Sequence, residues 1–344
     1  MTTASIYHPL YLEHRLRGHP ESPERLERVM EMLERNGMFE RLVALEPTPA
    51  TEVEIELVHS SAHRLHVQQV AARGGGHLDP DTYVNECSYK TALLAAGGVN
   101  TAARAILEGE IDNAFCLVRP PGHHATPDRG MGFCLFNNVA IAARVAQKET
   151  EVERVMIVDF DVHHGNGTQD AFFDDPSVLY FSTHQYPHYP GTGHWRETGQ
   201  HPGDGTTVNA PLPAGVGDDG YKAVFLSLLW PIAQRFGPQL ILVSAGFDAH
   251  WSDPLASLRL SLTGYANLVR ELCRMAQELC DGRIVFALEG GYHLDVLAYS
   301  VLNTFYALLN DDKIVDPIGP SPVDERPIED IIEGLCQFHQ VTFT

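Results

Sequence analysis

The sequence predicts an α/β protein, a single doubly wound domain over residues 1–344, with helices on both faces of a mostly parallel sheet. Three observations predict it. Short apolar, β-branched runs recur along the chain, helical periodicities separate several of them, and clusters of Gly, His and Asp follow directly after them. Strands buried on both faces read as continuous apolar runs, whereas half-exposed strands alternate.

The elements follow in order. HPESPERLERVMEMLERNGMF (19–39) predicts a helix, with Ser22 as N-cap, Pro23 at the first helical position and Asn36-Gly37 as the stop. Leu26, Val29, Met30 and Leu33 recur at helical spacing and form its apolar face. A helix rich in small residues is expected over 92–107 and another over 138–147. Strands are expected at 114–118, 155–160, 178–181, 240–243 and 284–288. Residues 311–327 are acidic and proline-rich, an irregular surface segment before a short last helix over 328–338.

Composition excludes some functions. No apolar run approaches the roughly 18 residues of a bilayer span, so no membrane partner is expected. The start MTTASIYHPL lacks the basic and apolar regions of a secretory signal. Six cysteines without a C-x-x-C pair suggest a reduced, cytoplasmic setting. The net charge is −21 and Lys/Arg are scattered, which argues against nucleic acid. That charge reads first as solubility, and second as mild attraction for cationic substrates. A homo-oligomer stays open.

In open parallel sheets, ligands bind beyond the carboxyl ends of the strands. There the chain places RPPGHH (119–124), DFDVHHGNG (159–167), SAGFDAHWSDP (244–254) and EGGYHLD (289–295). In an extended segment Asp159, Asp161 and His163 share one face. With Asp248 from another strand end, Asp161 and His163 form a two-carboxylate, one-imidazole set that leaves a position open, the pattern of a catalytic metal. The plainer alternative has Asp161 and His163 only capping the strand. Asp159 is either a fourth ligand or the partner of a neighbouring histidine, and the second role is favoured. In His123-His124 an imidazole near a metal-activated water suits a general base. Tyr292, after two glycines, is either an oxyanion donor or a core tyrosine. His164 receives no role.

These four motifs, in this order from about His19 to Tyr299, resemble the histone deacetylase family, which includes acetylpolyamine amidohydrolases and bacterial deacetylase-like proteins. The resemblance implies an arginase-deacetylase fold and one zinc ion per subunit on Asp161, His163 and Asp248. It implies His124 as general base and then acid, His123 as its electrostatic partner held by Asp159, and Tyr292 as catalytic tyrosine. Gly132 and Phe133 match a channel wall and Tyr189 the opposing aromatic; Leu255, Gly291 and Asp81 complete the substrate contacts. Arg25, a first-turn surface residue on its type alone, matches an arginine beneath the site where acetate leaves. Asp159, Asp161, His163 and Ser182 match a monovalent-cation site suited to K+. Asn166 stands where class I relatives carry an acid and class II relatives an asparagine, which implies a lower pKa for the base. His250 stands where arginases carry an acid for a second metal, so one divalent ion is expected.

The implied activity is zinc-dependent removal of acetyl or other short acyl groups from lysine side chains of proteins or peptides. The alternatives are an acetylpolyamine amidohydrolase and a non-catalytic acyl-lysine binding protein. Leu255 stands where one polyamine-selective branch carries a gatekeeper glutamate, which favours acyl-lysine.

Overall fold

The apolar runs form the centre of one parallel sheet in the computed structural model, which describes residues 2–343. Its ten strands are β1 (Thr3–Ile6), β2 (Val43–Leu45), β3 (Gly76–His77), β4 (Tyr83–Val84), β5 (Asn113–Cys116), β6 (Val155–Asp159), β7 (Val178–Gln185), β8 (Thr207–Leu212), β9 (Leu240–Ala245) and β10 (Ile284–Leu288). Eight of them pair in the order β2-β1-β5-β10-β9-β6-β7-β8, while β3 and β4 make a separate antiparallel pair. Every pairing in the large sheet is parallel.

The five predicted strands are present, β10 at its predicted ends and the other four with shifted ends. The first stops at Cys116, the second at Asp159, whose own carboxylate takes the Asp161 amide, and the third continues to Gln185. Three further strands of the large sheet had no apolar run to announce them. β1 and β2 are only four and three residues long. In β8, Thr207, Asn209 and Pro211 interrupt the pattern, and the proline is tolerated because β8 lies at the sheet's edge.

Helices cover both faces. Pro23–Arg35, Leu262–Cys280 and Leu294–Leu308 pack among themselves on one face, and Ser88–Leu107 with Asn138–Glu149 on the other. The first helix has the predicted N-cap, Ser22, and the chain leaves it through Gly37 in the left-handed region. Its buried face differs in one position: Met32 is buried and Met30 only partly so. Arg25 also turns inward, which rotates the inner stripe toward Met32. The irregular stretch and the last helix, Glu329–Phe338, are as expected.

Strands β5, β6, β9 and β10 are buried along their whole length. Phe115 meets Phe286, Phe247 and Phe305, and Phe160 meets Phe247 and Tyr265. Each such ring contributes about 1.5–3 kcal/mol by leaving water. The apolar clamp holds the ends of four neighbouring strands rigidly, and those ends carry the polar motifs.

Candidate active site

The site lies over the carboxyl ends of β5, β10, β9 and β6, which are adjacent in that order. The segment after β6 brings Asp161 and His163 together by a route other than the extended chain expected. Strand geometry ends at Asp159. The Asp161 amide donates to Asp159 Oδ1 (3.2 Å) and the His163 amide to Asp161 Oδ1 (2.9 Å). Each aspartate thus accepts from the amide two residues on, a local turn typical of the short side chains of Asp and Asn. Phe160 and Val162 still face the core.

Asp161, His163 and Asp248 offer ligand atoms that lie within 4.8 Å of one another. Backbone amides reach both oxygens of Asp161, His163 N at Oδ1 and Gly290 N at Oδ2 (2.8 Å), but only one of Asp248, where Val162 N donates to Oδ1 (2.9 Å). His163 Nδ1 stands 3.0 Å from Asp161 Oδ1 and 3.3 Å from Asp248 Oδ2. Atoms around a tetrahedral ion with bonds of about 2.0–2.1 Å are roughly 3.3 Å apart, so the spacing suits zinc. Asp248 Oδ2 is buried and accepts no hydrogen bond, which also fits a metal ligand. Burial opposes charge on His163, yet Asp161 and Asp248 raise its pKa to about 10. The field calls for a cation at this point.

A second cluster, His123, Cys134 and Glu289, is spent on hydrogen bonds. Glu289 accepts from Gly122 N, His123 N and Ser244 Oγ, and the Cys134 thiol is pushed well up by burial and by Glu289. His250 bonds Ser252 and belongs to neither ligand group among the described residues.

The two histidines are set apart by their partners. His123 Nδ1 lies 3.0 Å from Asp159 Oδ2; against burial, Asp159, Asp161 and Glu289 raise its pKa to about 10. Asp159 also accepts from Tyr180 Oη. His124 Nδ1 lies 2.8 Å from Asn166 Oδ1. Burial, then the charges of His123 and His163, lower its pKa well below the usual imidazole value. With an amide oxygen as acceptor, Nδ1 carries the proton and Nε2 keeps its lone pair.

A cavity of about 230 Å³ opens over these groups. His124, His163 and Tyr292 line it, Gly132, Phe133 and Tyr189 wall it, and Leu255 and Asp81 also border it. A side chain at Gly132 would meet the His124 ring, and its φ of 56° favours glycine as well. Phe133 holds a positive φ of 68°, and its amide donates to Thr82 Oγ1. Of the two glycines before Tyr292, Gly290 is among the residues that line the cavity. At φ +116° Gly291 turns the chain, and its carbonyl faces Arg25. Ser182 is Asp159's cross-strand neighbour, and its hydroxyl pairs with His184.

Arg25 is fully buried. Its guanidinium donates to Gly291 O (2.7 Å), Glu289 O (2.6 Å) and Glu21 Oε1 (3.1 Å), and lies 5.0 Å from the Tyr292 ring centre. Arg119 also pairs with Glu21, whose pKa stays near 2 because the arginines outweigh its burial. Glu21 and Arg119 were visible only as parts of motifs; nothing in their spacing marks a buried ion network. Glu289 was hidden in the same way. His164 is tied to Thr192 Oγ1 (2.8 Å) and Gln169 Oε1 (3.1 Å), so it pins the segment that carries Tyr189.

With this geometry in view, comparison with known proteins is specific. The family model described as Histone deacetylase domain matches residues 19–308. A probable deacetylase of Archaeoglobus fulgidus is 44% identical over 316 residues, covering 91% of this chain and 88% of that one. The human polyamine deacetylase HDAC10 is 39% identical over 353 residues, covering 97% of this chain and 51% of its own. The crystal structure of the HDA15 HD domain superposes with a TM-score of 0.89 at 37% identity, covering 98% of this chain and 96% of that one.

Proposed function

The chain belongs to the histone deacetylase family, and from that premise we propose that it is a zinc-dependent amidohydrolase removing acetyl groups from lysine side chains of peptides or proteins. The observation that carries the reading is the convergence of the Asp161–His163–Asp248 set, the His123–His124 pair and Tyr292 on one narrow cavity. Zinc held by those three ligands would polarise the acyl carbonyl and make water more acidic.

The chain's own residues supply the rest. His124 Nε2 takes a proton from the attacking water and later gives one to the departing amine. His123, charged and held by Asp159, supplies a fixed positive field beside it. The Tyr292 hydroxyl donates to the oxyanion that develops on the carbonyl. Phe133 and Tyr189 enclose the methylene linker, and the apolar walls exclude bulk water. Arg25 sits behind Tyr292 and suits the exit of acetate. A monovalent cation near Asp159, Asp161, His163 and Ser182 belongs to the same proposal.

A second reading, acetylpolyamine hydrolysis, is favoured by Asp81 on the cavity, with Asp79 hydrogen-bonded to its amide. Leu255 supports lysine substrates, because an unpaired acid there would select a second amine. The test compares kcat/KM for an acetyl-lysine peptide and acetylputrescine using zinc-loaded protein. The peptide should be preferred, and Tyr292→Phe should keep zinc while losing ~10²–10³ in kcat. Preference for acetylputrescine would establish the second reading. Binding without turnover would leave only a reader of acyl-lysine.

A further inference from the structure

Asp253 has no part in the chemistry above. It is 6% exposed, and among the described residues no ion pair involves it. Its carboxylate is held by backbone from two distant segments. Oδ1 accepts from Leu255 N (3.1 Å), in its own loop. Oδ2 accepts from Tyr292 N (2.7 Å) and His293 N (3.1 Å), 39 and 40 residues away. The amide of Asp253 in turn donates to His250 O (2.9 Å), which anchors the loop that begins at Asp248.

The Tyr292 segment needs such an anchor. It follows two glycines and lies outside regular structure until the helix Leu294–Leu308 begins. Arg25 holds the carbonyls of Glu289 and Gly291, and Asp161 holds the amide of Gly290. None of these contacts reaches the backbone of Tyr292, whereas Asp253 Oδ2 does. A carboxylate accepting amides makes stronger bonds than a neutral oxygen. An oxyanion donor works only within a few tenths of an ångström of its place, and a 1 Å misplacement can cost about 10²-fold.

We propose that Asp253 is a positioning residue: its carboxylate sets the Tyr292 backbone in register with the metal-ligand loop and ties the rim position Leu255 to the same anchor. The proposal rests on the deacetylase reading, since it assigns the purpose of holding Tyr292. Asp253→Asn keeps the size but replaces one acceptor oxygen by a donor, so at least one of the three amide bonds is lost.

The test is a double-mutant cycle with Tyr292→Phe. Asp253→Asn is expected to lower kcat roughly 10–100-fold with KM and zinc content little changed, and to have almost no further effect once the Tyr292 hydroxyl is absent. An equal loss in both backgrounds, or no loss, overturns the proposal. A second arm needs no turnover: 3-fluorotyrosine is placed at position 292 and its ¹⁹F resonance recorded. The resonance should shift or broaden in Asp253→Asn and stay put in the surface control Asp295→Asn. A folded Asp253 variant with an unchanged resonance also overturns the proposal. Should Asp253→Asn fail to fold, Asp253→Ser is read in the same two ways. If the wild type cleaves neither substrate, the deacetylase reading falls, and the fluorine arm still decides whether Asp253 holds Tyr292.

Discussion

His123 and His124 have ring centres 4.0 Å apart, yet their surroundings push their pKa values in opposite directions. Burial and the charges of His123 and His163 lower His124, whereas the carboxylates of Asp159, Asp161 and Glu289 outweigh burial at His123, and the groups bonded to each Nδ1 differ in kind. Asp159 offers a carboxylate to His123, and Asn166 offers an amide oxygen to His124. Since His124 is held well below the usual imidazole range, it is neutral and able to accept a proton at pH 7. In Asn166→Asp a carboxylate charge beside His124 Nδ1 would favour the imidazolium and raise that pKa. The acidic limb of kcat/KM should then move to higher pH by about one unit or more. An unmoved limb in the pH-rate profiles of the two proteins would remove Asn166 from the tuning of the base. The residue types at both partner positions were legible in DFDVHHGNG. The burial of Arg25 was not, because a helix's first turn reads as surface until its docking partner is known, and Glu21 and Arg119 are charged residues in loops whose pairing no spacing announces.

At the scale of elements, apolar runs revealed the strands that are buried on both faces, β5, β6, β7, β9 and β10. β1, β2 and β8 escaped because two are very short and the third is a polar edge strand with a proline. The site's clustering was legible for a partly mistaken reason. Period-2 geometry placed Asp161 beside His163, whereas carboxylate-to-amide turns achieve it. Phe160, between Asp159 and Asp161, does the packing that keeps those turns in place, against Phe247 and Tyr265. Phe160→Ala should cost about 3–5 kcal/mol in chemical denaturation and weaken zinc retention as well. A loss under about 1 kcal/mol would mean that the segment is held by its polar contacts alone.

For the whole molecule, buried histidines set the response to acid. His14 and His59 are lowered to about 3, and His184, His250 and His339 to about 4, in each case first by burial. Their folded values lie below the unfolded value of about 6.5, so as pH falls the unfolded chain takes up protons first. Stability from this source is complete above pH 6.5 and is lost as pH drops toward 4, by about 1.4 kcal/mol per group per pH unit once below 6.5. The melting temperature should therefore fall between pH 7 and 5. Relief of the −21 net charge alone would raise it over the same range, so the sign of the change decides. Strand order has a further consequence, for synthesis. β9 and β10 lie between β5 and β6 but are made last. A nascent chain ending before Leu240 has two interior edges, β5 and β6, with nothing between them, and such edges invite pairing with other chains. Asp161 and His163 leave the ribosome 87 and 85 residues ahead of Asp248, so the three candidate ligands can meet only after the central gap has begun to fill.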